Sequence, residues 1–190
     1  SGGGGAKGYP NLNDDEWIWG GTLEDIHTTL RHGIRSGHDE ERLNTMPNFG
    51  ADGILNQQEI RDVAHYVYSL SHPDKHADAS TLTRGETIYQ AQCSACHAEE
   101  GRGSGEMGVP SLNDAVWLDG DGEVSSIMAQ VTQAKHGVRP YWEGRLSEET
   151  IRQLAIYVHS LGGGEASPNA TVQNVTPPQA ATKEAPTAHD

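Results

Sequence analysis

Much of this chain is written twice. Pro10-Asn11-Leu12-Asn13-Asp14 followed by Trp17 returns as Pro110-Ser111-Leu112-Asn113-Asp114 followed by Trp117, at an offset of 100 residues. His32-Gly33-Ile34-Arg35 returns as His136-Gly137-Val138-Arg139, and the run from Ile60 to Leu70 returns as Ile151 to Leu161. An internal repeat of this size means two copies of one structural unit, so the fold must be a pair of related domains. The repeats divide the chain into a first domain over 1–70, a polar, proline-containing linker over 71–81, a second domain over 82–165 and a tail over 166–190. The tail holds Pro, Ala, Thr, Asn and Gln without an apolar period and is expected to be disordered.

Only the second repeat carries Cys93-Ser94-Ala95-Cys96-His97, and these are the only two cysteines. In a C-x-x-C-H motif two thiols one helical turn apart can add across haem vinyl groups, and the adjacent histidine reaches the iron as proximal ligand. A reactive C-x-x-C pair would not require the histidine, and a zinc site would need two further ligands at matching spacing. Covalent haem c on Cys93, Cys96 and His97 is therefore expected, one per chain. It also answers a compositional problem, because 23 glycines, one Phe and 34% hydrophobic residues make a thin core that a porphyrin can fill. Pro110, which has no N–H, offers its carbonyl to the His97 ring. Applied to the first repeat, the offset of 100 puts an equivalent motif just upstream of Ser1, so the first domain is expected to be truncated and the parent to hold two haems.

The secondary structure is expected to be helical with long loops. Apolar positions at helical spacing predict helices over 22–33 (Leu23, Ile26, Leu30) and 57–70 (Ile60, Val63, Ala64, Val67, Leu70). Thr83 to Gln92 should be a helix leading into the haem motif with Gly85, Ile88 and Tyr89 inward, crossed by a last helix over 148–161. A helical glycine costs up to about 1 kcal/mol against alanine, so Gly85 points to a close helix–helix approach. Residues 1–9 are glycine-rich and are expected to be a loop, neither helix nor strand. Met46 stands before Pro47 in a loop rich in turn formers, where it adds to no helical stripe. A thioether held there can reach a haem face as a soft axial ligand that favours reduced iron, the alternative being a gap-filling core methionine.

With 27 acidic against 13 basic residues, net charge −14, nucleic acid and anionic membrane surfaces are poor partners and a basic protein is the natural one, the alternative being that the acidity serves solubility alone. No apolar run reaches the roughly 18 residues of a membrane span. Thioether haem attachment takes place outside the cytoplasmic membrane, which predicts a periplasmic setting. No nucleophile–base pair or phosphate loop supports independent catalysis, and the acidic residues are expected on solvent faces.

Lys7 to Asp15, Trp17-Ile18-Trp19-Gly20-Gly21, His32 to Arg35, Met46-Pro47, Cys93 to His97 and Tyr157 to Glu165 together resemble the dihaem cytochrome c subunit III of cbb3-type cytochrome c oxidases, over residues 6–165. The resemblance implies an all-α fold of two tandem class I cytochrome c-like domains, with Met46 as axial ligand of the first haem. It also implies an N-terminal membrane anchor and a place on the periplasmic side of the bacterial inner membrane. The role it implies is an electron relay from a basic periplasmic cytochrome donor to the other subunits of the oxidase, not an independently catalytic one.

One residue departs from the family pattern. Where the second domain should read Gly-Val-Met-Pro, this chain has Gly137-Val138-Arg139-Pro140. A charged arginine does not ligate iron. His136 is the candidate replacement, ahead of Met128 on a helical stripe and Met107 in the loop after His97. A vacant sixth site would instead suit a haem-based gas sensor or small-molecule binder, and a periplasmic cytochrome serving a dehydrogenase is a third reading.

Overall fold

The structure, a computed structural model, describes residues 2–5, 9–75, 77–114, 116–117 and 120–167. The expected tail falls almost wholly outside these. Among the described residues six helices carry the fold: α1 (Leu23–His32), α2 (Gln57–Ser71), α3 (Ala79–Gln92), α4 (Ser94–His97), α5 (Val124–Thr132) and α6 (Glu148–His159). Their starts are written in the sequence. Thr22 accepts from the Asp25 N–H, Asn56 and Glu59 form a capping box, Asp78 accepts from Ser80 and Thr81, and Ser147 accepts from Thr150. Each side-chain oxygen satisfies N–H groups that the first helical turn leaves without a partner. Capped by Asp78, α3 starts at Ala79, four residues before the expected Thr83.

The N-terminal expectation is overturned. Gly3–Gly5 (β1) pairs antiparallel with Tyr9–Asn11 (β2), Gly3 opposite Asn11 and Gly5 opposite Tyr9. A two-strand ladder needs only backbone N–H and C=O groups, so a glycine run can form one without any side-chain pattern to announce it.

The helices pack across the repeats. One core joins Phe49, Leu55, Ile60, Val63, Ala64 and Val67 of the first repeat to Tyr89, Ile127 and Val131 of the second. The other joins Ile26 and Leu30 of α1 to Ile151 and Ala155 of α6, with Trp17 and Trp142 packed against them. Thus α2 lies on α3 and α5, while α6 lies on α1. The expectation that the last helix crosses α3 is corrected: α2 crosses it. Gly85 is a point of close approach, since a Cβ there would stand 2.2 Å from the Asp62 carbonyl oxygen. The Tyr66 and Tyr89 rings meet beside it at 5.2 Å.

The segments joining the half-repeats run past each other. Ile34 and Arg139 exchange both backbone hydrogen bonds at 2.9 Å, and Ala51 donates to the Thr132 carbonyl at 2.9 Å. Gly33, with φ 75°, ends α1 at a spot where a Cβ would meet the Arg139 carbonyl oxygen at 2.4 Å. No helix among the described residues is long and apolar enough to cross a membrane.

Candidate haem site

The site begins at the last turn of α3. Cys93 ends that helix with its N–H on the Tyr89 carbonyl at 2.8 Å and opens the single turn of α4, where Cys96 and His97 donate to the Cys93 carbonyl at 3.1 and 2.9 Å. One helical turn thus carries both thiols and the imidazole. Ala98 then takes φ 65°, and the chain turns into a glycine-rich loop in which Gly103 donates to the His97 carbonyl at 2.9 Å. The fully buried Tyr89 gives its hydroxyl hydrogen to the Ala98 carbonyl at 2.7 Å, which braces the turn from beneath.

His97 Nδ1 lies 3.0 Å from the Pro110 carbonyl oxygen. A carbonyl only accepts, so Nδ1 carries the proton and Nε2 keeps its lone pair for a metal. Burial lowers the basicity of His97, against the smaller opposing pull of that hydrogen bond, so the ring is neutral. Burial, reinforced by Cys96, pushes the Cys93 thiol up to about 11. A reactive cysteine has a lowered value, and Cys93 is shifted the opposite way. The metal-type cluster found among the described residues contains none of Cys93, Cys96 and His97. Two cysteines on one turn beside a neutral, tautomer-fixed imidazole fit covalent haem.

Met46 is half-buried and packs against the same core as Cys93, Leu112, Trp117 and Met128. It comes from the first repeat, yet lies in the half of the molecule that holds α3 and α4. His136 is exposed, and its Nε2 sits 3.2 Å from the Met46 carbonyl oxygen. Arg139 is tied by its backbone to Ile34 at the end of α1, in the other half of the molecule, with its Nε buried and without a hydrogen bond. Burial alone lowers its basicity. Met107 is 43% exposed, and its carbonyl accepts from Asn44 Nδ2 at 2.7 Å.

Residues 80–158 match the family model described as cytochrome c oxidase, cbb3-type, subunit III, and residues 1–71 match the cytochrome c model. The cbb3-type cytochrome c oxidase subunit CcoP of Cereibacter sphaeroides is 50% identical over 166 residues, 87% of this chain and 56% of that protein. The chain belongs to the subunit III family of cbb3-type cytochrome c oxidases. The subunit FixP of Bradyrhizobium diazoefficiens is 50% identical over 167 residues (87% and 56%), and the CcoP of Azospirillum brasilense 44% over 172 (87% and 57%). The chain spans about half the length of these relatives. Family membership accounts for cytochrome c domains and for haem c as the cofactor.

Several residues that hold this family's fold here went unmarked in the sequence. Asp62, expected on a solvent face, is 2% exposed and receives the Arg84 guanidinium at 2.6 Å and Gln58 Nε2 at 2.8 Å. Its equivalent in the second repeat is Gln153, so α6 offers Arg84 no carboxylate. Glu165 accepts from the Gly21 N–H at 2.7 Å, and Trp17 Nε1 donates to the Gly163 carbonyl at 2.5 Å, fastening the Gly-Gly-Gly-Glu run onto the first repeat. Aligning the repeats exposes the Asp62/Gln153 difference, but only with the packing in hand does it acquire a meaning.

Proposed function

We propose that this chain is an electron relay, taking electrons from a basic periplasmic cytochrome and passing them to the other subunits of a cbb3-type oxidase at the bacterial inner membrane. The observation that carries the reading is His97, neutral and fixed by Pro110 on the same turn as Cys93 and Cys96. When bound, haem c supplies a one-electron iron couple. The chain's part is to hold that group rigidly: Cys93 and Cys96 anchor it, His97 Nε2 faces the iron, and Tyr89 and Pro110 keep the turn and the ring from moving. Nothing in the site activates a substrate.

The sixth ligand in this reading is Met46. Met46 and Cys93 pack against the same core, which supports the pairing, and Pro47 keeps the Met46 loop extended. The Arg139 substitution then has no bearing on the His97 haem, because Arg139 belongs to the half of the molecule without the motif. His136 supports Met46 from outside, through its carbonyl, rather than replacing it. A methionine thioether stabilises reduced iron and closes the open site that a gas sensor would need. The match to subunit III favours an oxidase over a dehydrogenase as the partner of this cytochrome.

Haem quantification and CO binding test the proposal. One covalent haem per chain, low-spin in both oxidation states and unreactive to CO, is the expected result. Absence of covalent haem, or a high-spin ferrous form that takes up CO at once, would contradict it.

A further inference from the structure

Away from the haem motif, four side chains from three segments converge. His32 lies in the last turn of α1, His38 and Glu40 in the loop after it, and Glu143 in the segment before α6. The two imidazole rings stack with centroids 4.9 Å apart and planes within 8°. His38 Nε2 is 2.9 Å from a Glu143 oxygen and His32 Nε2 is 3.4 Å from a Glu40 oxygen. All four candidate donor atoms fall within 4.8 Å of one another. The histidine side chains are only 14% and 17% exposed, and His32 Nε2 is buried without a hydrogen bond.

A buried nitrogen without a hydrogen bond is costly, and two imidazoles that turn their Nε2 edges toward two carboxylates are arranged for a cation. Two nitrogens and two carboxylate oxygens are too nitrogen-rich for calcium or magnesium and too hard for a copper(I) site; they suit a divalent transition ion such as zinc. Four tetrahedral donors around zinc stand about 3.4 Å apart at bonds of about 2.0–2.1 Å. His32 and Glu40 already stand at that spacing, His38 and Glu143 at 2.9 Å need part only slightly, and Glu40, whose side chain is 69% exposed, is free to swing toward the other donors. Arg31 holds the other oxygen of Glu143 through its Nε at 2.8 Å, so Glu143 is oriented with one oxygen left for the site. That contact also keeps the Glu143 carboxyl below the usual carboxylate range.

We propose that His32, His38, Glu40 and Glu143 bind one zinc-like divalent ion. Three of the ligands come from the first repeat and one from the second, so the ion would fasten the crossed segments together.

The test uses the full, haem-loaded chain after treatment with a chelator. Titration with zinc chloride by calorimetry should give one ion per chain, and zinc-edge absorption should report a four-coordinate shell of nitrogen and oxygen with imidazole. Bound zinc should raise the thermal midpoint. Losing an outer-shell partner costs roughly tenfold in affinity, so His32→Ala and His38→Ala should each weaken binding by more than that. Should the histidine variants fold poorly, Glu40→Gln alters an exposed side chain and should still lower the affinity. The chain has 10 histidines, so a stoichiometric ion whose affinity is unchanged in these variants would place zinc elsewhere and overturn the proposal. Absence of stoichiometric binding would overturn it as well, leaving the cluster as an ion-pair network.

Discussion

Asp62 shows how a single charge can decide between two nearly identical partners. Arg84, by a side-chain hydrogen bond, holds its carboxyl below the usual carboxylate range, although burial opposes this. A lowered value in the folded state means stability that is present above the ordinary carboxylate range and is lost as pH falls through it toward the lowered value. Asp62→Asn should therefore lower the urea midpoint at neutral pH, with the gap to the parent chain closing as the medium is acidified below that range. A gap that persists unchanged in acid would assign the effect to packing rather than charge. Residue-level reading of the sequence reached Pro110 as the His97 acceptor because proline's missing N–H leaves only its carbonyl to act. It did not reach Asp62, because an acidic residue between Arg61 and Val63 on an amphipathic helix looks like any other solvent-facing one until its neighbour is known.

Among the elements, helices α1, α2 and α6 were legible from apolar spacing, and the cap residues Thr22, Asn56 and Ser147 agree with it. Strand β1 was illegible, since a glycine ladder has no side-chain code. The choice of partner for α3 was illegible for a different reason. Ile60 and Ala64 recur as Ile151 and Ala155, so α2 and α6 present the same apolar stripe and pattern alone cannot say which one crosses α3. The counterpart faces now differ: Tyr66 lies against Tyr89, whereas Tyr157 on α6 is 55% exposed. Gly85 tests the crossing. Gly85→Ala forces a methyl group against the backbone of Asp62, and overpacking of this kind costs about 1–3 kcal/mol. Because alanine also favours helix over glycine, a neutral or stabilising result by chemical denaturation would show that α2 does not approach α3 this closely.

Over the whole molecule, charge and connectivity set behaviour. A net charge of −14 should steer a basic donor, an attraction screened beyond about 8 Å at physiological salt. The second-order rate of reduction by a basic cytochrome should fall severalfold from low to physiological ionic strength. A rate independent of salt would reduce the acidity to a matter of solubility. The crossed packing has a deeper consequence in the proposed pairing, where the haem of one repeat takes a ligand from the other. Ferric haem with a methionine ligand shows a weak far-red charge-transfer band, and that band, followed through methionine variants of the full chain, tests this most directly. It should be present in the parent chain, persist in Met128→Ala, Met107→Ala and His136→Ala, and vanish in Met46→Ala together with a fall in potential and a gain of CO binding. A band that survives Met46→Ala, or that is lost in Met128→Ala instead, would contradict the pairing of Met46 with His97.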